Sequence, residues 1–254
     1  MNANSARTET AVSGSAVTHA VTTNVTSAAA APSLVPVTLA FAAGYVDTLG
    51  FVALFSFFTA HVTGNLVVLG SAVTQPLHGL IAKILAIPTF IVAVGVVRLY
   101  GRSLERRGVA IAPRFLVLEA VLLAAFLTLG QVASPITDGD TPCAIFAALS
   151  GVVAMGVQNA ASRTVFASLS PTTVMTGNVT QLAIDGSDLI FGAPETATVA
   201  VRARFRRLWP PVVGFAIGAG CGALGYSVGG FLSLLVPILA VLALAVRNTP
   251  EIRR

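Results

Sequence analysis

Charge is what this sequence has least of. Of its 254 residues only 10% are charged, while 55% are hydrophobic. A soluble globular domain carries about 25% charged residues, so an ordinary soluble domain is excluded. Cysteine is nearly absent too. Cys143 and Cys221 are the only two, both in apolar segments, with no CxxC or Cys/His spacing. Neither a disulfide framework nor a metal site is expected, and both cysteines read as small buried hydrophobes. Aromatic residues make up 7% of the chain and do not interleave with basic ones. That excludes a base-stacking surface and, with it, nucleic acid as a partner. No cofactor motif is present.

What is there is hydrocarbon in long runs. Spanning a bilayer core of about 30 Å takes about 20 mainly apolar residues in a helix. Runs of that order are expected at about Leu34–Phe58, Ile81–Leu99, Phe115–Ala133, Pro142–Ser162, Pro210–Tyr226 and Phe231–Val246. Two shorter pieces, Thr63–Thr74 and Val174–Ile190, interrupt them. The expected architecture is an all-α membrane protein of about six transmembrane helices plus two short re-entrant or broken helices. Residues 1–33 read as a disordered cytoplasmic tail, without the charged start and apolar core of a secretory signal peptide. Residues 34–247 form one membrane domain, and 248–254 a short basic tail.

The domain reads as two related halves, about 34–133 and 142–247. Gly44-Tyr45-Val46-Asp47 is followed by Thr63-Gly64-Asn65, and Gly156-Val157-Gln158-Asn159 by Thr176-Gly177-Asn178. Further on, Pro88 precedes Gly95 by seven residues, as Pro211 precedes Gly218. Three matches in one order point to internal duplication, with Asp47 corresponding to Asn159.

Orientation follows from the basic residues. Arg98–Arg114, Arg202–Arg207 and the C-terminal tail hold five, four and three of the fifteen. The positive-inside rule places all three segments in the cytoplasm, the first two as loops. The loop with Asp138 and Asp140 is then outside. If Val174–Ile190 dips in and returns, each half has three spans and the repeat is an inverted 3+3, both termini inside. The rival is eight spans in a parallel repeat.

These residues resemble the YoaK-like family of bacterial integral membrane proteins, domain of unknown function family 1275. The likeness rests on Gly44–Asp47, Ala60-His61-Val62-Thr63-Gly64-Asn65, Gly156–Asn159 and Val174-Met175-Thr176-Gly177-Asn178, and covers about Val35–Val246. It implies a bacterial plasma-membrane protein of about six helices and no particular activity.

The candidate site comprises Asp47, His61, Thr63, Gly64, Asn65, Gln158, Asn159, Thr176, Gly177 and Asn178. A carboxylate deep in an apolar helix costs about 3 kcal/mol on insertion scales. Asp47 is therefore either a proton or cation site, or hydrogen-bonded to Gln158 or Asn159 of the other half. Thr63 and Thr176 suit helix caps. Gly64 and Gly177 suit close backbone approach or positive φ, and Asn65 and Asn178 offer donor and acceptor together. Uncapped, these helix starts would suit an anionic group; otherwise they are packing devices. His61 reads as a proton relay or an interfacial side chain.

Elsewhere, Glu119 reads as a snorkelling acid paired with Arg114, and Asp185 and Asp188, three apart, as markers of the water interface in preference to a cation site. Trp209 suits a membrane interface. Gly214, Gly218 and Gly222 form a stripe for close helix packing, either within the chain or in a homo-oligomer. Gly225-Tyr226-Ser227-Val228-Gly229 spells the nucleophile elbow of hydrolases, but no histidine follows it. The functional expectation is a transporter or channel for a small solute or ion. The alternatives are a membrane scaffold and, last, an intramembrane serine hydrolase; the chain is not expected to be an enzyme.

Overall fold

The computed structural model of the chain describes residues 34–74, 76, 78–192 and 195–247. The tails expected at 1–33 and 248–254 lie outside the described residues. Within them the chain is helix and loop, without a strand. The helices are α1 (Leu34–Ala53), α2 (Gly64–Ser71), α3 (Leu80–Arg106), α4 (Ala112–Ala133), α5 (Pro142–Arg163), α6 (Met175–Phe191), α7 (Glu195–Gly229) and α8 (Leu235–Arg247). A 3-10 segment, Gly230–Leu234, joins the last two. Five segments are long and apolar enough to cross a membrane: α1, α3, α4, α5 and a stretch of 51 residues, Ala197–Arg247.

The exterior is hydrocarbon. Val67, Ile91, Val92 and Val228 are more than 60% exposed, while Asp47, Asn65, Glu119, Gln158 and Asp185 are buried. The core around these polar residues is itself largely apolar, and the exposed apolar surface suits lipid as its solvent.

Two arginine clusters placed in loops by their charge are helical. Arg98, Arg102 and Arg106 belong to α3, and Arg202–Arg207 to α7. Arginine is a good helix former, so a helix continues through such a cluster past its apolar stretch. The first helix is shorter than expected, ending at Ala53 rather than Phe58. Helix α7 runs on through Pro210 and Pro211. Pro211 has no N–H for the carbonyl of Arg207, four residues earlier. Ser170 Oγ donates to that carbonyl at 3.0 Å, satisfying the freed acceptor.

The glycine stripe finds its partner within the chain. Gly214, Gly218 and Gly222 face the backbone carbonyls of Val37, Phe41 and Tyr45 on α1. A Cβ on Gly214 would lie 2.9 Å from the Val37 oxygen, and one on Gly218 or Gly222 would collide with its carbonyl outright. Numbers rise together along both helices, so α1 and α7 run parallel. Helices α3 and α5 also run parallel. Their starts are tied where Gly79 meets Gly139 and the Ile81 amide donates to Asp140 Oδ1 at 2.9 Å. Their ends share a cavity wall through Arg98 and Arg163. Helices α1 and α5 run oppositely, Gln158 reaching Leu39 while Gly50 and Gly151 both face Thr59.

Candidate functional site

Between α1 and α2 the chain reverses. Phe55 and Ser56, neither of them glycine, take left-handed backbone angles with φ of 55° and 63°, a conformation that costs roughly 1–2 kcal/mol per residue. The reversal lays residues 57–63 back along α1 and brings Thr59 to Asp47, twelve residues earlier. Thr59 is completely buried. Its methyl sits where a Cβ on either Gly50 or Gly151 would come within 2.9 Å. Both glycines are therefore needed for the returning segment to fit between α1 and α5.

Asp47 is the centre of this break. Its Oδ1 accepts from the amides of Thr59 at 2.8 Å, Ala60 at 2.7 Å and His61 at 3.3 Å, and from Thr59 Oγ1 at 3.3 Å. Its Oδ2 lies 2.7 Å from His61 Nδ1. A buried carboxylate is tolerable when donors converge on it in this way. The expected bond to Gln158 or Asn159 is not made; the partners come from its own half. His61 is half-buried, edge-on to Phe215 with ring centroids 5.5 Å apart, and is held by the acid rather than left at an interface.

Asn65 fixes the same segment at two points. Its Oδ1 accepts from the Phe58 amide at 2.9 Å, and its Nδ2 donates to the Phe58 carbonyl at 2.8 Å. Gly64 makes room for the Phe58 ring, which a Cβ would approach to 2.8 Å. Thr63 stands at the N-cap position of α2, but its side chain makes no capping bond. The α2 amides are instead used in the preceding turn, Gly64 to His61 O and Asn65 to Val62 O.

The second break keeps the frame and changes the chemistry. Asn178 Nδ2 donates to the carbonyl of Pro171 at 2.8 Å, again seven residues back. Proline has no N–H, so the return bond made by Phe58 is missing here. Asn159 Oδ1 accepts from Thr173 Oγ1 at 2.6 Å, and its Nδ2 donates to Met155 O at 2.9 Å. Gln158 donates to Leu39 O at 2.8 Å and to Thr172 Oγ1 at 3.0 Å. Thr176 is the second residue of α6, whose N-cap position is Val174 without a side-chain bond, so neither threonine caps. Gly177 is open, with Val174 3.8 Å from a would-be Cβ. Neither motif glycine has a positive φ.

The two breaks meet. His61, Thr63, Asn159, Thr173 and Thr176 line one cavity of about 360 Å³, closed on its apolar side by Ile87 and Phe90. Four sequence candidates are thus brought to a common space, with Asp47 behind His61 and Gln158 anchoring α5 to α1. Asn65, Asn178 and Gly64 shape the breaks without lining the cavity, and Gly177 does neither. Sequence reasoning missed Thr59, Thr172, Thr173 and Phe90. The Thr-Thr pair at 172–173 aligns with Thr59-Ala60 once the two asparagines are superposed, and this was the available signal.

Other expectations fare differently. Glu119 does not pair with Arg114, which bonds Ala110 O. It faces the core, 1% exposed, and its Oε1 has no hydrogen-bond partner among the described residues. Asp185 is buried, not interfacial. Arg204 Nε donates to both its oxygens, at 3.0 and 2.9 Å, and Gln181 Nε2 at 2.8 Å. The Arg204 guanidinium, followed by Gln181, holds the Asp185 carboxyl below its usual range against the cost of burial. Cys143 is exposed rather than buried, and Cys221 half-buried. Trp209 is half-exposed on α7. Ser227 lies within α7 and bonds Leu224 O at 2.8 Å, so no strand-to-helix elbow exists.

A helical bundle with an apolar exterior, polar side chains buried within its core and five segments able to cross a bilayer is a membrane-embedded protein. The chain belongs to the family described as "Protein of unknown function (DUF1275)", whose model matches residues 35–247. No curated protein and no solved structure matches it.

Proposed function

We propose that the protein is a transporter or channel for a small solute or ion, and that its cavity between the two breaks is the substrate site. The observation that carries this reading is the convergence of His61, Thr63, Asn159 and Thr176 from both halves on one space, with a bonded acid directly behind. Membrane transporters build such sites from discontinuous helices at the interface of repeats. Asp47 has its Oδ1 saturated by main-chain donors. His61 is the member of the pair that reaches the cavity, so it exchanges a proton there while Asp47 holds and orients its ring. A scaffold has no need of this cavity, and the chain is read as a non-enzyme in which Ser227 is structural.

Six spans and an inverted 3+3 repeat go with this reading. At about 1.5 Å per residue, the eight residues of α2 fall well short of a bilayer core. The left-handed Gly230 supports counting the last apolar stretch as two spans. The opposite directions of α1 and α5, which correspond in the repeat, support inversion, as does the pairing of α1 with α7 and of α5 with α3. In a bacterial plasma membrane the arginine-rich ends and both termini then face the cytoplasm.

Two measurements test it. Proteoliposomes carrying an internal pH dye are challenged with a panel of small organic acids, amines and sugars under a proton gradient. At least one solute should move protons, and Asp47→Asn should abolish the response while leaving the protein folded. A silent panel, or an unchanged response in the variant, contradicts the reading. Single cysteines at Ser168 and Val199 should label from the same side; labelling from opposite sides supports eight spans instead.

A further inference from the structure

We infer that a second cavity, away from the breaks, binds the phosphodiester headgroup of an anionic glycerophospholipid. It lies where α3 ends, α4 begins and α5 ends, and measures about 530 Å³. Arg98 lines it from α3 and Arg163 from α5. Glu105 also lines it, and its Oε1 accepts from Arg98 Nη1 at 3.1 Å. Arg163 is exposed, and no carboxylate lies within ion-pair distance of it among the described residues. Two arginines against one glutamate leave the lining positive. Arg102, Arg106, Arg107 and Arg114, all exposed nearby in the chain, add to the field. A guanidinium fork matches two phosphate oxygens at once.

The rest of the wall is apolar, through Val109, Ile111 and Phe115. Gly101 makes room for the Phe115 ring, since a Cβ there would lie 3.1 Å from Phe115 Cζ. Tyr100 stacks on the same ring at 6.2 Å. Free phosphate would use the arginines alone. Charge beside hydrocarbon, at the ends of three helices able to cross a bilayer, fits a lipid whose acyl chains run along Ile91 and Ile84 of α3, exposed one and two heptads before Arg98 on the same face. Basic pockets between membrane helices on the cytoplasmic side hold acidic headgroups in this way.

The test is thermal unfolding of the full chain in detergent, titrated with dioctanoyl-phosphatidylglycerol. A saturable rise in melting temperature is expected, with none from dioctanoyl-phosphatidylcholine. Arg163→Gln should weaken the midpoint about fivefold, the loss of one basic contact, and Arg247→Gln should leave it unchanged. Ala110→Phe fills the cavity while keeping both arginines, and should abolish saturation. Equal responses to the two lipids overturn the assignment, as does an unchanged midpoint in Arg163→Gln. Should Arg163→Gln not fold, an unchanged midpoint in Ala110→Phe overturns it alone. Saturation by glycerol 3-phosphate at the lipid's midpoint also overturns it, by making the ligand a soluble phosphate monoester.

Discussion

The break after α1 and the break after α5 share a frame and differ in charge. In both, an asparagine at the start of a short helix holds a carbonyl seven residues back. In both, a polar residue deep in the preceding helix reaches the returning segment. The first break has an acid there, with three amides and a hydroxyl on one oxygen and a histidine on the other. The second has an asparagine with a single hydroxyl partner and no ionisable group in the corresponding position. The same geometry thus occurs twice and the charge once. One half lends the shared cavity a histidine backed by an acid, and the other a neutral wall.

The sharpest way to break this comparison is to delete both central residues. Asp47→Ala strands three buried amides, at roughly 1–3 kcal/mol each, so a loss of order 5 kcal/mol is expected in denaturant unfolding. Asn159→Ala, with one hydroxyl partner, should cost about 1 kcal/mol; equal losses would make the two breaks equivalent. Next come the corresponding glycines. Gly218 sits against the carbonyl of Phe41, whereas a Cβ on Gly95 meets nothing within 4 Å. Gly218→Ala should destabilise by about 3 kcal/mol, the upper end for overpacking. Gly95→Ala should be neutral or stabilising by roughly 0.5–1 kcal/mol.

A finer difference lies in the clamps. Asn65→Ala removes two hydrogen bonds and Asn178→Ala one to main chain, so the first should cost about 1 kcal/mol more. Smallest is the pH response of the Asp185–Arg204 pair, which has no counterpart at the Ala72 and Ile81 positions of the first half. Because the Asp185 carboxyl is held below its usual range, the stabilisation is complete above that range. It is lost as pH falls through the lowered value. Protease nicking between α6 and α7 should rise as pH falls from about 7 to about 3, and Arg204→Gln should flatten that rise.

Much of this was legible in the sequence because it depends on spacing. Apolar runs marked most helices to within several residues, α7 excepted, which begins at Glu195 rather than Pro210, and the paired Thr-Gly-Asn motifs marked the breaks. Asp47 stood out because an acid is expensive in hydrocarbon. What was not legible depends on which side of a helix meets what. Arginine favours helix and marks the membrane edge equally well, so α3 and α7 outran their expected ends. The two motif threonines looked like caps, but the turn before α2 uses those amides itself. Gly95 and Gly218 look alike in sequence, and only packing separates them. Phe55 and Ser56 carry no turn signal, yet their left-handed backbone is what returns Thr59 to Asp47.

The central claim is that the two breaks border one cavity. It is tested most directly by cross-linking Thr63→Cys to Thr176→Cys in native membranes, with Cys143 and Cys221 replaced. A bifunctional thiol reagent about one cavity width long should join the two positions. If each cysteine reacts singly and no reagent of that reach joins them, the shared site does not exist.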